Sequence, residues 1–165
     1  MYTIRKATVE DVETIRSLAQ EIWMDAYSKI LAIEQLDFML KEIYSTEKLT
    51  DQVENNIQTF LLLMEDEQAV AFAAYSPRNE DPQVYKLHKL YCLPATQGKG
   101  YGKILINAVI AEVLKAGKHT LDLNVNRHNK AKSFYEKMGF EVIYEEDIAI
   151  GQYYMNDYVM RKALQ

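Results

Sequence analysis

Apolar residues recur along the chain with two different periods, and each change of period marks a boundary between elements. Residues 2–7 have the character of a short strand. Thr8-x-x-Asp11 then resembles a capping box and predicts a helix start, with Val12, Ile15, Ala19, Ile22 and Ala26 following at helical spacing. Ile33, Leu36, Met39, Leu40 and Ile43 predict a second amphipathic helix, and residues 46–55 a third, more polar one. Apolar runs at 59–64 and 69–75, separated by Glu65-Asp66-Glu67-Gln68, predict an antiparallel hairpin. The Pro-containing segment 76–82 is a loop leading to a strand at 84–93, which Pro94 ends.

Residues 103–115 are apolar on nearly every turn, which predicts a buried helix, and Gly117 stands where a C-terminal cap glycine belongs. Leu121, Leu123 and Val125 alternate with Asp122 and Asn124 as in a strand. Ala131, Phe134, Tyr135 and Met138 share one face of a short helix stopped by Gly139. Residues 141–150 and 154–163 predict a closing hairpin about Gly151. The strand–helix–strand order around 84–125 implies a crossover between neighbouring parallel strands, so the expected fold class is α/β.

Composition narrows the function classes. A chain of 165 residues, 48% hydrophobic and 26% charged, has the make-up of one globular domain spanning 1–165. The formal net charge of -5 and the lack of a basic stripe interleaved with aromatics argue against a nucleic-acid partner, and weakly favour a cationic substrate. Cys92 is the single cysteine, which excludes an internal disulfide, and no apolar run is long enough to span a membrane. The cytoplasm is the expected location.

The candidate chemistry centres on Gln97-Gly98-Lys99-Gly100-Tyr101-Gly102, between the strand at 84–93 and the helix at 103–115. Alternating glycines leave backbone N–H groups uncovered, and the helix start adds its own unpaired N–H groups and positive dipole end, so the loop is suited to phosphate. A dinucleotide fingerprint would need a third glycine where Lys103 stands. A Walker A loop would need glycine at Gln97 and Ser or Thr at Ile104.

Gln97-x-x-Gly100-x-Gly102 after Leu90-Tyr91-Cys92-Leu93-Pro94 resembles the acyl-CoA loop of the GNAT superfamily of N-acetyltransferases. Asn126-x-x-Asn129-x-Ala131-x-x-Phe134-Tyr135-Glu136-Lys137-x-Gly139-Phe140 is similar to that family's second motif in content and distance. The resemblance implies a mixed, mostly antiparallel central sheet of about seven strands flanked by helices, with the fourth and fifth strands splayed into a cofactor cleft. It implies acetyl-CoA as cosubstrate, its pyrophosphate on the backbone of Gln97, Gly98, Lys99, Gly100, Tyr101 and Gly102, assisted by Lys99 or Lys103. The pantetheine arm would pair with Leu90, Tyr91 and Cys92, and Asn126 or Asn129 would reach the cofactor. Cys92 itself reads as a small buried hydrophobe rather than a nucleophile, because nothing cationic adjoins it.

By the same resemblance Tyr135 protonates the departing thiolate. His88 occupies the place where many relatives carry a glutamate, and its ordinary near-neutral pKa suits a general base. The helices at 12–43 would wall the acceptor site, giving Trp23, Tyr27, Phe38 and Tyr44 two readings, acceptor contact and core packing, of which packing is preferred. The implied reaction is direct attack of an amine on the thioester in a ternary complex without metal. A small primary amine or polyamine is the first acceptor and a protein N-terminus or lysine the second. A silent acyl-CoA-binding module is the reading from another class, and a homodimer is left open.

Overall fold

The computed structural model describes all 165 residues and orders them as seven strands and five helices. β1 (Tyr2–Lys6) leads through a single 3-10 turn at Val9–Asp11 into α1 (Val12–Tyr27). The Asp11 carboxylate accepts the Thr8 N–H at 2.8 Å, the reciprocal half of the expected capping box, and is also held by Arg5 at 2.8 Å. α2 (Ile33–Ile43) and α3 (Thr46–Glu54) follow. β2 (Thr59–Glu65) and β3 (Gln68–Pro77) turn at Asp66 and Glu67, and β4 (Tyr85–Cys92) precedes α4 (Tyr101–Lys115). β5 (Thr120–Asn126), α5 (Ala131–Lys137), β6 (Glu141–Ile150) and β7 (Tyr153–Ala163) complete the chain.

The strands form one sheet in the order β1-β2-β3-β4-β5-β7-β6, antiparallel throughout except for the parallel β4–β5 pair. α4 crosses over between those two strands, as the periodicity predicts. One face of the sheet packs Leu61, Leu63, Ala73 and Leu121 against Leu105, Ile106 and Val109 of α4. The other packs Phe60, Leu62, Phe72 and Ala74 against Ile15, Ala19, Leu36 and Met39 of α1 and α2. A strand with apolar side chains on both faces is the signature of a sheet covered on both sides, and β2 and β3 read that way.

Two local features shape the site. β4 carries a bulge: Lys89 pairs with Ala74 and Leu87 with Tyr75, so His88 is the extra residue. β4–β5 pairing stops just there, at Leu87↔Leu123, and beyond it the two strands diverge. On the far side, α2 leans on the β6–β7 turn through Phe38, whose ring lies so close over Gly151 that an added Cβ would come within 2.3 Å of it. Gln35 Nε2 donates to the Tyr154 carbonyl at 3.0 Å and fixes the same junction. No helix is long and apolar enough to cross a membrane.

Candidate active site

The divergence of β4 from β5 opens a cleft of about 420 Å³, lined by Leu90, Tyr91, Cys92, Gln97, Asn129 and Tyr135 among others. Leu93 N–H donates to Val70 O on β3 at 2.9 Å. Strand alternation therefore turns the backbone of Tyr91 toward β3 and the N–H groups of Leu90 and Cys92 toward the cleft, where no strand pairs with them. This is the edge an extended ligand pairs with. Burial pushes the Cys92 thiol up to about 11, which keeps it protonated and suits the packing role expected of it.

At the mouth of the cleft the glycine loop meets α4. Gln97 N–H donates to Pro94 O and Lys99 N–H to Thr96 O, both at 3.1 Å, so these two amides close the loop on itself. The N–H groups of Gly98, Gly100, Tyr101, Gly102 and Lys103 have no partner, and α4 begins with Ile104 N–H bonding Gly100 O at 3.1 Å. Gly98 and Gly100 sit at φ +90° and +76°, and a Cβ on either would meet nothing within 4 Å. Their missing side chains leave an open approach to those amides, which fits a pyrophosphate.

The loop side chains divide differently from the sequence expectation. Lys99 Nζ lies 2.8 Å from the Glu65 carboxylate, and the Tyr101 hydroxyl bonds the same carboxylate while its ring packs in the core. Tyr101 is therefore available to a ligand only through its N–H, and Lys99 already has a counter-charge, whereas Lys103 is exposed and unpaired. Gly102 faces inward, where a Cβ would come into ordinary contact with Phe134 at 3.5 Å and Cys92 at 3.9 Å.

The two asparagines separate as well. Asn129 lines the cleft, its Oδ1 accepting Ala131 N–H at 2.9 Å and its Nδ2 reaching the Tyr27 hydroxyl at 3.4 Å. Asn126 Oδ1 accepts His128 N–H at 2.9 Å, and the residue lines a second cavity rather than this cleft. Tyr135 lines the cleft with its ring wedged between Phe134 and Phe140. Burial, helped by Tyr27 and Cys92, raises its hydroxyl pKa well above the ordinary value, so it stands as a neutral O–H donor.

The second cavity, of about 240 Å³, lies across β4 from the cleft and between α1–α3 and the β6–β7 hairpin. Tyr27, His88, Lys89, Tyr91 and Asn124 line both spaces, so the two join at the fork. Trp23 and Tyr44 are buried, as expected of core residues, yet they also wall this chamber, so packing and lining are one role here. Of the six buried side-chain polar atoms that lack a hydrogen-bond partner, five belong to it: Trp23 Nε1, Tyr44 OH, Gln52 Oε1, Asn124 Oδ1 and Asp157 Oδ1. Such atoms are costly to bury unpaired, and their convergence gives this one space a lining suited to polar groups.

His88 is the point on which the near-neutral expectation fails. Its Nε2 lies 2.7 Å from Ser76 Oγ, and burial together with Lys89, Lys86 and Arg78 pushes its pKa down to about 3. It is neutral at physiological pH but a feeble base. The titratable groups that sequence reasoning missed are Asp157 and Lys89. Asp157 has one oxygen 3.2 Å from Asn124 Nδ2 and the other free, and burial raises its pKa. Lys89 is buried on β4 with its pKa lowered to about 7 by burial, Lys48 and Lys86. Each occupies an ordinary alternating strand position, and only the bulge and the chamber give them significance.

Comparison with known proteins agrees with this geometry. A family model described as an acetyltransferase (GNAT) domain matches residues 18–156. The chain is 31% identical to a spermidine N(1)-acetyltransferase of Thermoplasma acidophilum, over 84% of this chain and 88% of that protein. It is 28% identical to the ribosomal protein bS18 alanine N-acetyltransferase of Haemophilus influenzae, over 77% and 83%. Among solved structures, the PaiA N-acetyltransferase of T. acidophilum in complex with coenzyme A superposes with a TM-score of 0.85 at 30% identity, covering 99% of both chains. The sequence motifs, the forked sheet and these relatives agree: the chain belongs to the GNAT family and is an acetyl-CoA-dependent N-acetyltransferase.

Proposed function

We propose that the chain, acting as a single domain, transfers acetyl from acetyl-CoA to the primary amine of a small molecule by direct attack in a ternary complex. The observation that carries this reading is the junction at the fork: a cleft with free strand and loop amides opens at His88 and Asn124 into a small polar chamber. The acyl donor supplies a thioester. The free N–H groups of Leu90 and Cys92 hold its arm and polarise its carbonyl, and those of Gly98, Gly100 and the first turn of α4 hold its phosphates, with Lys103 as the untethered cation. Asn129 borders the same cleft, and Tyr135 donates its proton to the departing thiolate.

The amine enters from the chamber as an ammonium and must lose a proton before it can attack. Asp157, with its free oxygen and its pKa raised by burial, accepts that proton directly or through water beside Asn124. His88, neutral and tied to Ser76, shapes the junction. A chamber of about 240 Å³ is smaller than the usual drug-sized pocket, which supports a small acceptor, and the spermidine-acetylating relative supports the same class. The bS18-acetylating relative keeps a protein α-amine as the second reading.

Initial rates of coenzyme A release with varied acetyl-CoA and varied amine test this directly. Intersecting reciprocal plots are expected. Parallel plots would mean a covalent acetyl-enzyme, and tight acetyl-CoA binding without turnover on any amine would mean a binding module.

A further inference from the structure

The relation to a spermidine acetyltransferase makes a polycation the natural first acceptor, yet the charges around the chamber do not suit one. Lys48, Lys86 and Lys89 line it against a single carboxylate, Asp157. Burial and the neighbouring Arg78 lower the Lys86 pKa and outweigh the fields of Glu146, Asp157 and Glu80. Lys89 and Lys48 take part in no ion pair. Lys89 Nζ makes one hydrogen bond, to Gln58 Oε1 at 2.6 Å, and is held over the Phe60 and Tyr44 rings at 5.1 and 5.7 Å. Its other protons are free. Buried cations are ordinarily paired with an anion, and here the protein supplies none.

Four of the five unpartnered atoms sort the same way; the fifth, Gln52 Oε1, is an acceptor on α3 at the lysine end. Trp23 Nε1, a donor, and the Tyr44 hydroxyl lie on the wall that carries Lys89, where the Trp23 and Tyr44 rings touch at 5.6 Å between centroids. Asn124 Oδ1 and Asp157 Oδ1, both acceptors, lie on β5 and β7. Asn124 and Lys89 both border the cofactor cleft, but Lys89 Nζ is drawn toward Gln58, Phe60 and Tyr44, away from β5 and β7, which leaves the acceptors at the fork. The chamber thus has an amine-binding end at the fork and an anion-binding end against α3 and β4.

We propose that the acceptor is a primary amine that also carries a carboxylate, its amine end on Asn124 and Asp157 and its carboxylate on Lys89 and Lys48. The inference rests on the acetyl-transfer reading above and names its substrate class. A bound carboxylate supplies the counter-charge that Lys89 lacks and opposes the burial that lowers its pKa to about 7. A second ammonium in the same place meets Lys89 and Lys48 instead.

The experiment compares kcat/KM for short ω-amino carboxylates, n-alkylamines and α,ω-diamines of equal chain length, with wild type, K89M and K48Q. Met fills the volume of the buried lysine stem, so K89M is expected to fold, and the exposed Lys48 offers an independent variant. Wild type is expected to prefer the carboxylates over the alkylamines by about 10- to 100-fold, the range of a charge-assisted hydrogen bond, and to disfavour the diamines. The preference is expected to collapse toward unity in K89M and to weaken in K48Q. Transfer that favours diamines, or a preference unchanged in both variants, overturns this inference and leaves acetyl transfer standing. No transfer to any acceptor overturns both.

Discussion

Gly100→Ala perturbs the phosphate-binding loop by one methyl group, and the structure provides its own control. Gly100 (φ +76°) begins α4 and Gly117 (φ +77°) ends it, and a Cβ at either position meets nothing within 4 Å. The strain of an L-residue in the left-handed region is therefore the same at both, on the order of 1–2 kcal/mol. For a chain of this length that lowers Tm by about 2–8 °C in each variant. Only the methyl at Gly100 stands over free N–H groups. If it displaces one charge-assisted hydrogen bond to a phosphate, about 1.5–3 kcal/mol of binding is lost, which is roughly 10- to 150-fold in Kd. Calorimetric titration with acetyl-CoA and thermal melts of the two variants separate the effects. Equal Tm losses with a weakened Kd only in Gly100→Ala are expected. Equal affinities in the two variants would refute the assignment of this loop to the pyrophosphate.

Three other outcomes follow from the site and its supports. Tyr135→Phe keeps the ring between Phe134 and Phe140 and removes the proton donor, so kcat is expected to fall about 100-fold or more with acetyl-CoA affinity retained; an unchanged chemical step would make the hydroxyl idle. The His88 pKa, depressed to about 3, makes the unfolded chain the stronger proton binder below pH 6.5, so His88 favours folding fully above that pH and progressively less as pH falls toward 3. His88→Gln should flatten this acid sensitivity in denaturant melts and leave the acidic limb of kcat/KM in place, whereas loss of that limb would restore His88 as the base. Asp122, buried between Arg78 (2.9 Å) and Arg161 (2.7 Å), ties β5 to the β3–β4 loop and β7. Asp122→Ala leaves the partly buried Arg78 with only Glu80, at 3.8 Å, while the half-exposed Arg161 turns to solvent, and should cost about 2–3 kcal/mol; a loss under about 1 kcal/mol would mean that the clamp is incidental.

Periodicity was enough to place the helices and strands because each buries a single face or a continuous apolar run. The hairpins at Asp66-Glu67 and Gly151 and the crossover through α4 follow from local turn chemistry and connection length. The glycine loop was legible as a phosphate site, but its division of labour was not. The Gln97 and Lys99 amides close the loop on the adjacent Pro94 and Thr96 carbonyls, whereas the engagement of Lys99 and Tyr101 by Glu65 depends on a hairpin more than thirty residues away.

The base was harder still. His88 carries a near-neutral pKa in sequence and a low one in the fold because the bulge turns it into a partly buried setting beside Lys86, Lys89 and Arg78. Asp157 and Lys89 look like solvent-facing members of alternating strands until α1–α3 cover them. Burial on both faces of a sheet is a tertiary fact that period-two alternation does not report. Asp122 is hidden for the same reason.

The fate of a labelled acetyl group is the sharpest probe of the forked cleft. In a single turnover with labelled acetyl-CoA and a primary amine, the label should move to the amine as free coenzyme A appears in equal amount, without passing through the protein. Label retained as protein-bound acetyl-CoA, or trapped on Cys92, would contradict direct transfer at this site.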